Sequence, residues 1–283
     1  MNEQLKQRVE YSIAQLRKGE QLALALNPDG GYYLAFSGGK DSQVLMELCK
    51  MAGVRFTPHY SVTSIDPPDN VYFIRQHYPD VIFDHPKENF FRLIEKKGLP
   101  TMQRRYCCER LKEGLGSGNV VLTGVRAAES RKRASYAQVE IYSRRKEHAT
   151  GSRERTIEQI MENEHQCIKG KDRVMLRPVL YWTEEEVWEF IKERELPVNP
   201  CYESVGRVGC MFCPFATKGQ IAMYETRYPG FKKAILRALD KYWLRTDEHM
   251  LPDPHQYYEW WKTKMSVKRF KEFIEGENVQ LPS

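Results

Sequence analysis

The sequence predicts an α/β fold: a mostly parallel five-stranded sheet with helices on both faces, extended by a cysteine-bearing segment and a helical C-terminal lobe. Three observations predict it. Short apolar runs alternate with helical periodicities through the first two thirds of the 283 residues. A glycine pair stands directly between one apolar run and one helix, which is how a strand feeds a ligand-binding turn in such sheets. The last third reads as helices.

The elements follow in order. Leu5, Val9, Ile13 and Leu16 recur at helical spacing, so residues 3–18 read as an amphipathic helix ending near Gly19. Tyr32–Phe36 reads as a buried strand. Ser37-Gly38-Gly39 turns the chain into a helix over 41–51, with Gly53 just past its end. Strands are expected over 56–62, 81–84 and 120–124, and an extended stretch over 174–180. Helices are expected over 71–77 and 90–97, the second with Gly98 after it. Strands that alternate with helices imply a parallel sheet covered on both faces. Residues 145–172 are polar and charged, and read as a long loop or mobile insert. Thr183-Glu184-Glu185-Glu186 is a capping box opening a helix to about Glu193. Pro229 stands in the first turn of another helix, over 229–243. Two domains follow, 1–195 around the sheet and 196–283 with the cysteines and the lobe.

Composition narrows the function classes. Hydrophobic residues at 41% allow a substantial core, and 29% charged residues with 12% aromatics exclude a low-complexity chain. No apolar run reaches about 18 residues, so no membrane helix is expected. The start, MNEQLKQRVEYS, has no apolar signal core, so a cytoplasmic location is expected. The net charge is +6, and residues 92–175 carry 19 Lys and Arg against 11 Asp and Glu. That bias suits phosphate-rich partners, although a solvated mixed-charge surface has the same composition. The cysteines number seven. An odd count in a chain of this kind suits metal or redox chemistry better than a disulfide framework.

Three features carry chemistry. Ser37, Gly38, Gly39, Lys40, Asp41 and Ser42 form a turn at a helix N-terminus. Two glycines let backbone N–H groups approach an anion, the helix end adds its positive dipole, and Lys40 adds a charge. Asp41 is placed to hold Mg²⁺ or to orient the turn. The spacing is not that of a Walker P-loop. Second, Cys210-Met211-Phe212-Cys213 is a CxxC, with Cys201 nine residues earlier and Cys107-Cys108 distant in sequence. Such a set suits zinc, an iron–sulfur cluster or a redox pair. Third, Tyr257, Tyr258, Trp260 and Trp261 interleave with Lys262, Lys264, Lys268, Arg269 and Lys271. That pattern fits either single-stranded nucleic acid or a helix that packs its aromatics inward.

The hexapeptide SGGKDS, together with RRYCCERLK (104–112), GVRAAESRKRA (124–134), RPVLYWTEEEVWEFI (177–191) and LPVNPCYESVGRVGCMFCP (196–214), resembles the phosphoadenosine phosphosulfate (PAPS) reductase-like family. That family lies within the PP-loop ATP pyrophosphatases, or adenine nucleotide alpha-hydrolase fold. The resemblance implies an ATP-type nucleotide over residues 37–42, with Ser61 near the adenosine. It implies that Arg126 contacts a phosphate or sulfate, supported by Glu129 and Arg131. Lys40, Asp41 and Arg126 are then the catalytic candidates. It also tips the cysteine set towards a 4Fe–4S cluster, with Zn²⁺ as the alternative.

Two ligand sets are implied. Cys107, Cys108, Cys210 and Cys213 match some sulfonucleotide reductases. Cys107, Cys201, Cys210 and Cys213 match the DNA phosphorothioation sulfurtransferase branch, the closer cysteine pattern. Cys49 reads as core, and Cys167 falls in the insert. No cysteine follows Cys213, where the assimilatory reductases carry their nucleophile. The function expected from this pattern is ATP-dependent adenylation of an acceptor, followed by sulfur transfer. The acceptor is expected to be DNA or tRNA and the sulfur to come from a donor such as a cysteine desulfurase, with a homodimer as the candidate assembly. The alternatives are a sulfonucleotide reductase using a partner's thiol, and a non-catalytic nucleotide-binding module. The cysteine segment and the helical lobe are expected to flank the nucleotide crevice.

Overall fold

The structure is a computed structural model and describes residues 2–112, 114–142, 155–168, 172–247 and 249–276. Along the chain run α1 (Glu3–Leu26), β1 (Tyr32–Ala35), α2 (Lys40–Ala52), β2 (Phe56–Ser61), α3 (Pro68–His77) and β3 (Ile82–Asp84). Then come α4 (Phe90–Lys97), α5 (Tyr106–Leu111), β4 (Val120–Leu122), α6 (Arg131–Ala134), β5 (Val139–Tyr142) and α7 (Ile157–Gln159). The last are β6 (Arg173–Leu176), α8 (Glu184–Glu193), α9 (Cys201–Ser204), α10 (Lys218–Arg227), α11 (Pro229–Trp243), α12 (Pro254–Thr263) and α13 (Val267–Ile274).

The strands form one six-stranded sheet in the order β3-β2-β1-β4-β6-β5. All neighbours are parallel except β5, which pairs antiparallel with β6, Val139 opposite Leu176. The sheet therefore has one strand more than the five expected. β5 escaped because it is a four-residue edge strand followed by a charged run. Its place is fixed from outside, by Arg177 donating to the Glu140 carboxylate at 2.5 Å and to the Ala137 carbonyl at 2.6 Å.

Contacts divide the chain into two compact units that interleave in sequence. One holds residues 1–62, 68–85 and 114–209; the other holds 63–67, 86–113 and 210–283. The sequence reading drew a single border at 195/196, whereas residues 86–113 group with 210–283. The reason is local packing: α4 lies against α11, Glu95 accepts from Lys241 at 2.8 Å, and Trp261 donates to the Pro100 carbonyl at 2.6 Å.

In the first unit the core is built from Leu34, Val120, Leu122, Val174 and Leu176 of the sheet. Leu5, Leu16 and Leu22 of α1, Val44, Leu45 and Leu48 of α2, and Val187 and Phe190 of α8 complete it. Cys49 is buried in this core, as expected. α1 does not end at Gly19 but continues to Leu26. Gly19 is a contact glycine and not a cap: a Cβ there would meet the Tyr32 hydroxyl at 2.5 Å.

Part of the stretch read as a loop over 145–172 is helical. α7 opens with a Thr156–Gln159 capping box, and Ile157, Ile160 and Ile168 are buried in the core. Residues 145–154 and 169–171 lie outside the described residues.

In the second unit, the aromatics of the C-terminal segment mostly face inward. Tyr257, Tyr258, Trp261 and Phe270 are buried, which is the core alternative for those four. Among the described residues, no helix is long and apolar enough to cross a membrane.

Candidate functional site

The strand order reverses at β1. The chain runs outward through β2 and β3, then returns to place β4 on the other side of β1, with Tyr33 opposite Val121. Ligands bind beyond the carboxyl ends of strands at such a switch point. The Ser37–Ser42 turn leaves β1 there, and the segment carrying Arg126 leaves β4.

The turn is held rigidly. Gly38 has φ +77°, and a Cβ on it would meet the Asn70 side-chain oxygen at 2.4 Å, so only glycine fits. Its carbonyl accepts from Asn199 at 2.9 Å and from Gln43 at 3.3 Å, and the Ser37 carbonyl accepts from Asn70 at 3.2 Å. Ser42 donates to the Gly39 carbonyl at 2.8 Å and accepts from the Ser37 amide at 3.2 Å. Gly39 caps α2 with no side-chain hydrogen bond. Neutral hydroxyls hold the first amides of the turn: the Gly39 amide donates to Ser37 Oγ at 3.3 Å, and an anion that displaces such acceptors gains the helix end. The Lys40 amide donates to the Tyr202 hydroxyl at 2.8 Å. Burial pushes the Tyr202 phenol up to about 12, so it stays neutral and keeps its proton to donate.

Four charges converge beside the turn. Lys40 Nζ lies 3.4 Å from Asp41 and 3.3 Å from Glu184. Its ammonium also faces the Trp188 and Tyr202 rings, at 5.9 and 5.6 Å. Arg126, only 2% exposed, donates to Asp41 at 2.5 Å and also to Glu184. Burial opposes the Arg126 charge, but Asp41 and Glu184 outweigh it and hold the guanidinium's pKa above its ordinary value. Burial likewise works against the Glu184 carboxylate, and Arg126 and Lys40 overcome it, keeping Glu184 below the usual range. An incoming phosphate would compete with two carboxylates for two cations.

The remaining nucleotide candidates are less central. Glu129 accepts from the Arg126 amide at 3.0 Å and pairs with Arg133, which stiffens the turn after β4. Arg131 is exposed at the start of α6. Ser61 is the last residue of β2, opposite Asp84 of β3.

Sequence reasoning missed Glu184, Tyr202, Asn70 and Asn199. The clue to Glu184 was present: in the Thr183–Glu186 capping box the two end residues cap the helix, which frees Glu184 to point elsewhere. Asn199 gave no spacing signal.

In the second unit, Cys107, Cys108, Cys210 and Cys213 line one cavity of about 30 Å³, closed by Thr63, Ile65 and Lys112 among others. The strap 63–67 fixes the CxxC turn: Met211 donates to the Ile65 carbonyl at 2.8 Å, and Cys210 Sγ lies 3.7 Å from the Thr63 hydroxyl. Phe212, between the two cysteines of the motif, takes φ +48°, in the left-handed region. A hydrogen bond to Cys108, together with burial, raises the Cys107 thiol; burial raises Cys210 against the pull of Lys112. Cys210 in turn raises the Lys112 ammonium. Four thiols are the kind of donor set that a zinc or iron–sulfur site uses. Among the described residues, no three His, Cys, Asp or Glu side chains stand in metal-holding geometry, so the thiols are gathered without forming a closed cage.

The sequence reading favoured Cys201 in this set and left Cys108 as the alternative. Cys201 is not among the cavity's lining. It is fully buried at the start of α9 in the first unit, where its amide donates to Asn199 at 2.9 Å. The side chain of Cys167 lies outside the described residues.

The profile of the phosphoadenosine phosphosulfate reductase domain matches residues 31–216. The chain belongs to this family. An uncharacterized protein of Methanocaldococcus jannaschii is 24% identical over 252 residues, which are 86% of this chain and 55% of that protein. The chain thus spans about half the length of this relative. An adenosine 5'-phosphosulfate reductase of Staphylococcus epidermidis is 43% identical over 37 residues, 13% of this chain and 15% of that protein. Among solved structures, the PAPS reductase of Candida auris in its phosphate complex covers 75% of this chain and 97% of its own, at 14% identity and a TM-score of 0.44. The PAPS reductase-domain match runs from the end of the loop before β1 to just past Cys213, so it takes in both the 37–42 turn and the four cavity cysteines.

Proposed function

We propose that this PAPS reductase-family protein is an ATP pyrophosphatase that activates an acceptor for sulfur transfer. The observation that carries the reading is the glycine turn at the N-terminus of α2, flanked by Lys40 and Arg126. A triphosphate supplies enough negative charge to displace Asp41 and Glu184 from both cations. An acceptor oxygen then bonds to the α-phosphorus, and the bond from that phosphorus to the bridging oxygen breaks. Pyrophosphate leaves with the electron pair. Backbone N–H groups of residues 38–41 and the Lys40 ammonium stabilise the charge that grows on the phosphates, where fixed donors act most strongly. Arg126 orients the α-phosphate. Tyr202 keeps a proton ready for a phosphate oxygen. Mg²⁺, when bound, neutralises polyphosphate charge, and Asp41 and Glu184 are the carboxylates that would hold it. Hydrosulfide released by a donor then bonds to the activated acceptor atom and gives its proton to water, the bond from that atom to the AMP oxygen breaks, and AMP leaves with the electron pair.

We assign Cys107, Cys108, Cys210 and Cys213 as the ligands of a 4Fe–4S cluster, which when bound supplies a site for sulfur. The basic middle of the chain supports a nucleic-acid acceptor, either DNA or tRNA, and the location is read as cytoplasmic.

Isotope position tests the reading. With ATP labelled at the α-phosphate, incubation with an acceptor should give labelled AMP and one pyrophosphate per turnover. Formation of ADP and inorganic phosphate, or of no product with any nucleic acid, would overturn it.

A further inference from the structure

We propose that a second pocket in the 63–67, 86–113 and 210–283 unit holds one unpaired base of the acceptor nucleic acid. The proposal rests on the acceptor reading above and adds where the acceptor docks. The pocket measures about 350 Å³ and is walled by Met102, Gln103, Pro214, Trp260, Trp261 and Lys264, among others. That volume lies within the range of about 300–1,000 Å³ typical of small-ligand sites and accommodates a single nucleoside.

The walls are prepared for a flat ring. Trp261 donates its indole N–H to the Pro100 carbonyl at 2.6 Å, and Trp260 donates to the Met265 carbonyl at 2.9 Å. Both rings are thereby fixed, and neither N–H remains for a ligand. Trp261 is buried, and Trp260, the half-buried one of the two, offers apolar ring surface, which every base can use. Gln103 is exposed at the wall and carries an amide that both donates and accepts, the pattern of a base edge.

The rim is prepared for phosphate. Lys264 ends α12 in the left-handed conformation, φ +61°, which carries its ammonium back over the Trp261 ring at 4.3 Å. Among the described residues no carboxylate salt bridge forms with Lys264, Arg104 or Arg105. Lys262, two residues earlier, is by contrast held by Glu225 at 3.1 Å and Glu259 at 2.8 Å. The Arg105 guanidinium lies 5.3 Å over the ring of Phe215, a side chain left 51% exposed. Aromatic surface beside unpaired cations is the composition of single-strand binding sites.

Position supplies the last argument. Pro214 lines this pocket and also the four-cysteine cavity. A base held here stands next to the sulfur chemistry.

The test is fluorescence anisotropy of the full chain with labelled 12-mers of single-stranded DNA, single-stranded RNA and duplex DNA. Binding to one of the single strands should exceed binding to duplex. Trp260→Ala should weaken it about 5- to 150-fold, the range for losing one stacked base. Trp260→Phe, which keeps a ring, should recover most of the loss. Lys264→Glu should weaken binding and lower the salt slope by about one. Calorimetric affinity for ATP should be unchanged in all three, and an unchanged far-UV circular dichroism spectrum and thermal transition report that each variant is folded. Wild-type binding that the variants retain within twofold overturns the pocket and leaves the acceptor reading intact. Equal binding of duplex overturns the unpaired-base assignment. Failure of the wild type to bind any nucleic acid overturns both.

Discussion

Replacing Lys40 by alanine should lower pyrophosphate release from ATP by about 100- to 1,000-fold, the usual cost of removing one preorganised donor from a developing oxyanion. Lys40 is the first residue of α2 and brings the ammonium that stands beside the glycine turn, 3.4 Å from Asp41 and 3.3 Å from Glu184. Without it, Arg126 alone balances two carboxylates, so the site turns net negative and repels the triphosphate as well. Nucleotide affinity should therefore fall together with turnover. Iron and acid-labile sulfide content should not change, because the four cavity cysteines and Lys40 belong to different units. Turnover within a few-fold of the wild type would remove the loop from the mechanism.

The second large effect concerns the cysteines. After anaerobic purification, Cys210→Ser, Cys213→Ser and Cys107→Ser should each lose iron and sulfide to background, since a three-thiolate set no longer satisfies a four-site cluster. The informative pair is Cys108→Ser against Cys201→Ser. The cavity gathers Cys108 and not Cys201, so Cys108→Ser should lose the cluster and Cys201→Ser should retain it. The reverse outcome would restore the ligand set of the phosphorothioation branch. Zinc in place of iron in the wild type would make the site structural and weaken the sulfur-transfer reading.

Much of the fold was legible because its signals are local. Gly53 and Gly98 end helices where the sequence places them, and the Thr183–Glu186 capping box opens α8 as read. The misreadings have a common cause: tertiary contact decided them. Gly19 resembles a helix stop, but it exists to let Tyr32 approach α1. β5 is too short to announce itself and depends on pairing with β6. Ile157, Ile160 and Ile168 are too few to show a period among charged neighbours, yet each finds the core.

The site divides in the same way. Residues 37–42 were legible as a contiguous motif whose conformation only glycine allows. Glu184, Tyr202, Asn70 and Asn199 were not, because each reaches the turn from a distant segment through a single hydrogen bond or ion pair. The four cavity cysteines were visible as candidates, but spacing could not choose between Cys108 and Cys201. That choice depends on which side chains the strap 63–67 and the CxxC turn bring to one cavity. The C-terminal aromatics carried two meanings at once. Tyr257, Tyr258, Trp261 and Phe270 are buried, while Trp260 is half-buried and lines the second pocket with Trp261.

The central claim is that the turn at the β1/β4 switch point is built for a triphosphate. Calorimetry on anaerobically prepared protein tests it most directly, with ATP and Mg²⁺ titrated in parallel with PAPS and adenylyl sulfate. The account predicts that ATP binds more tightly than either sulfonucleotide, and that Lys40→Ala removes the difference. Tighter binding of PAPS or adenylyl sulfate would contradict it and would make the chain a reductase whose thiol comes from a partner.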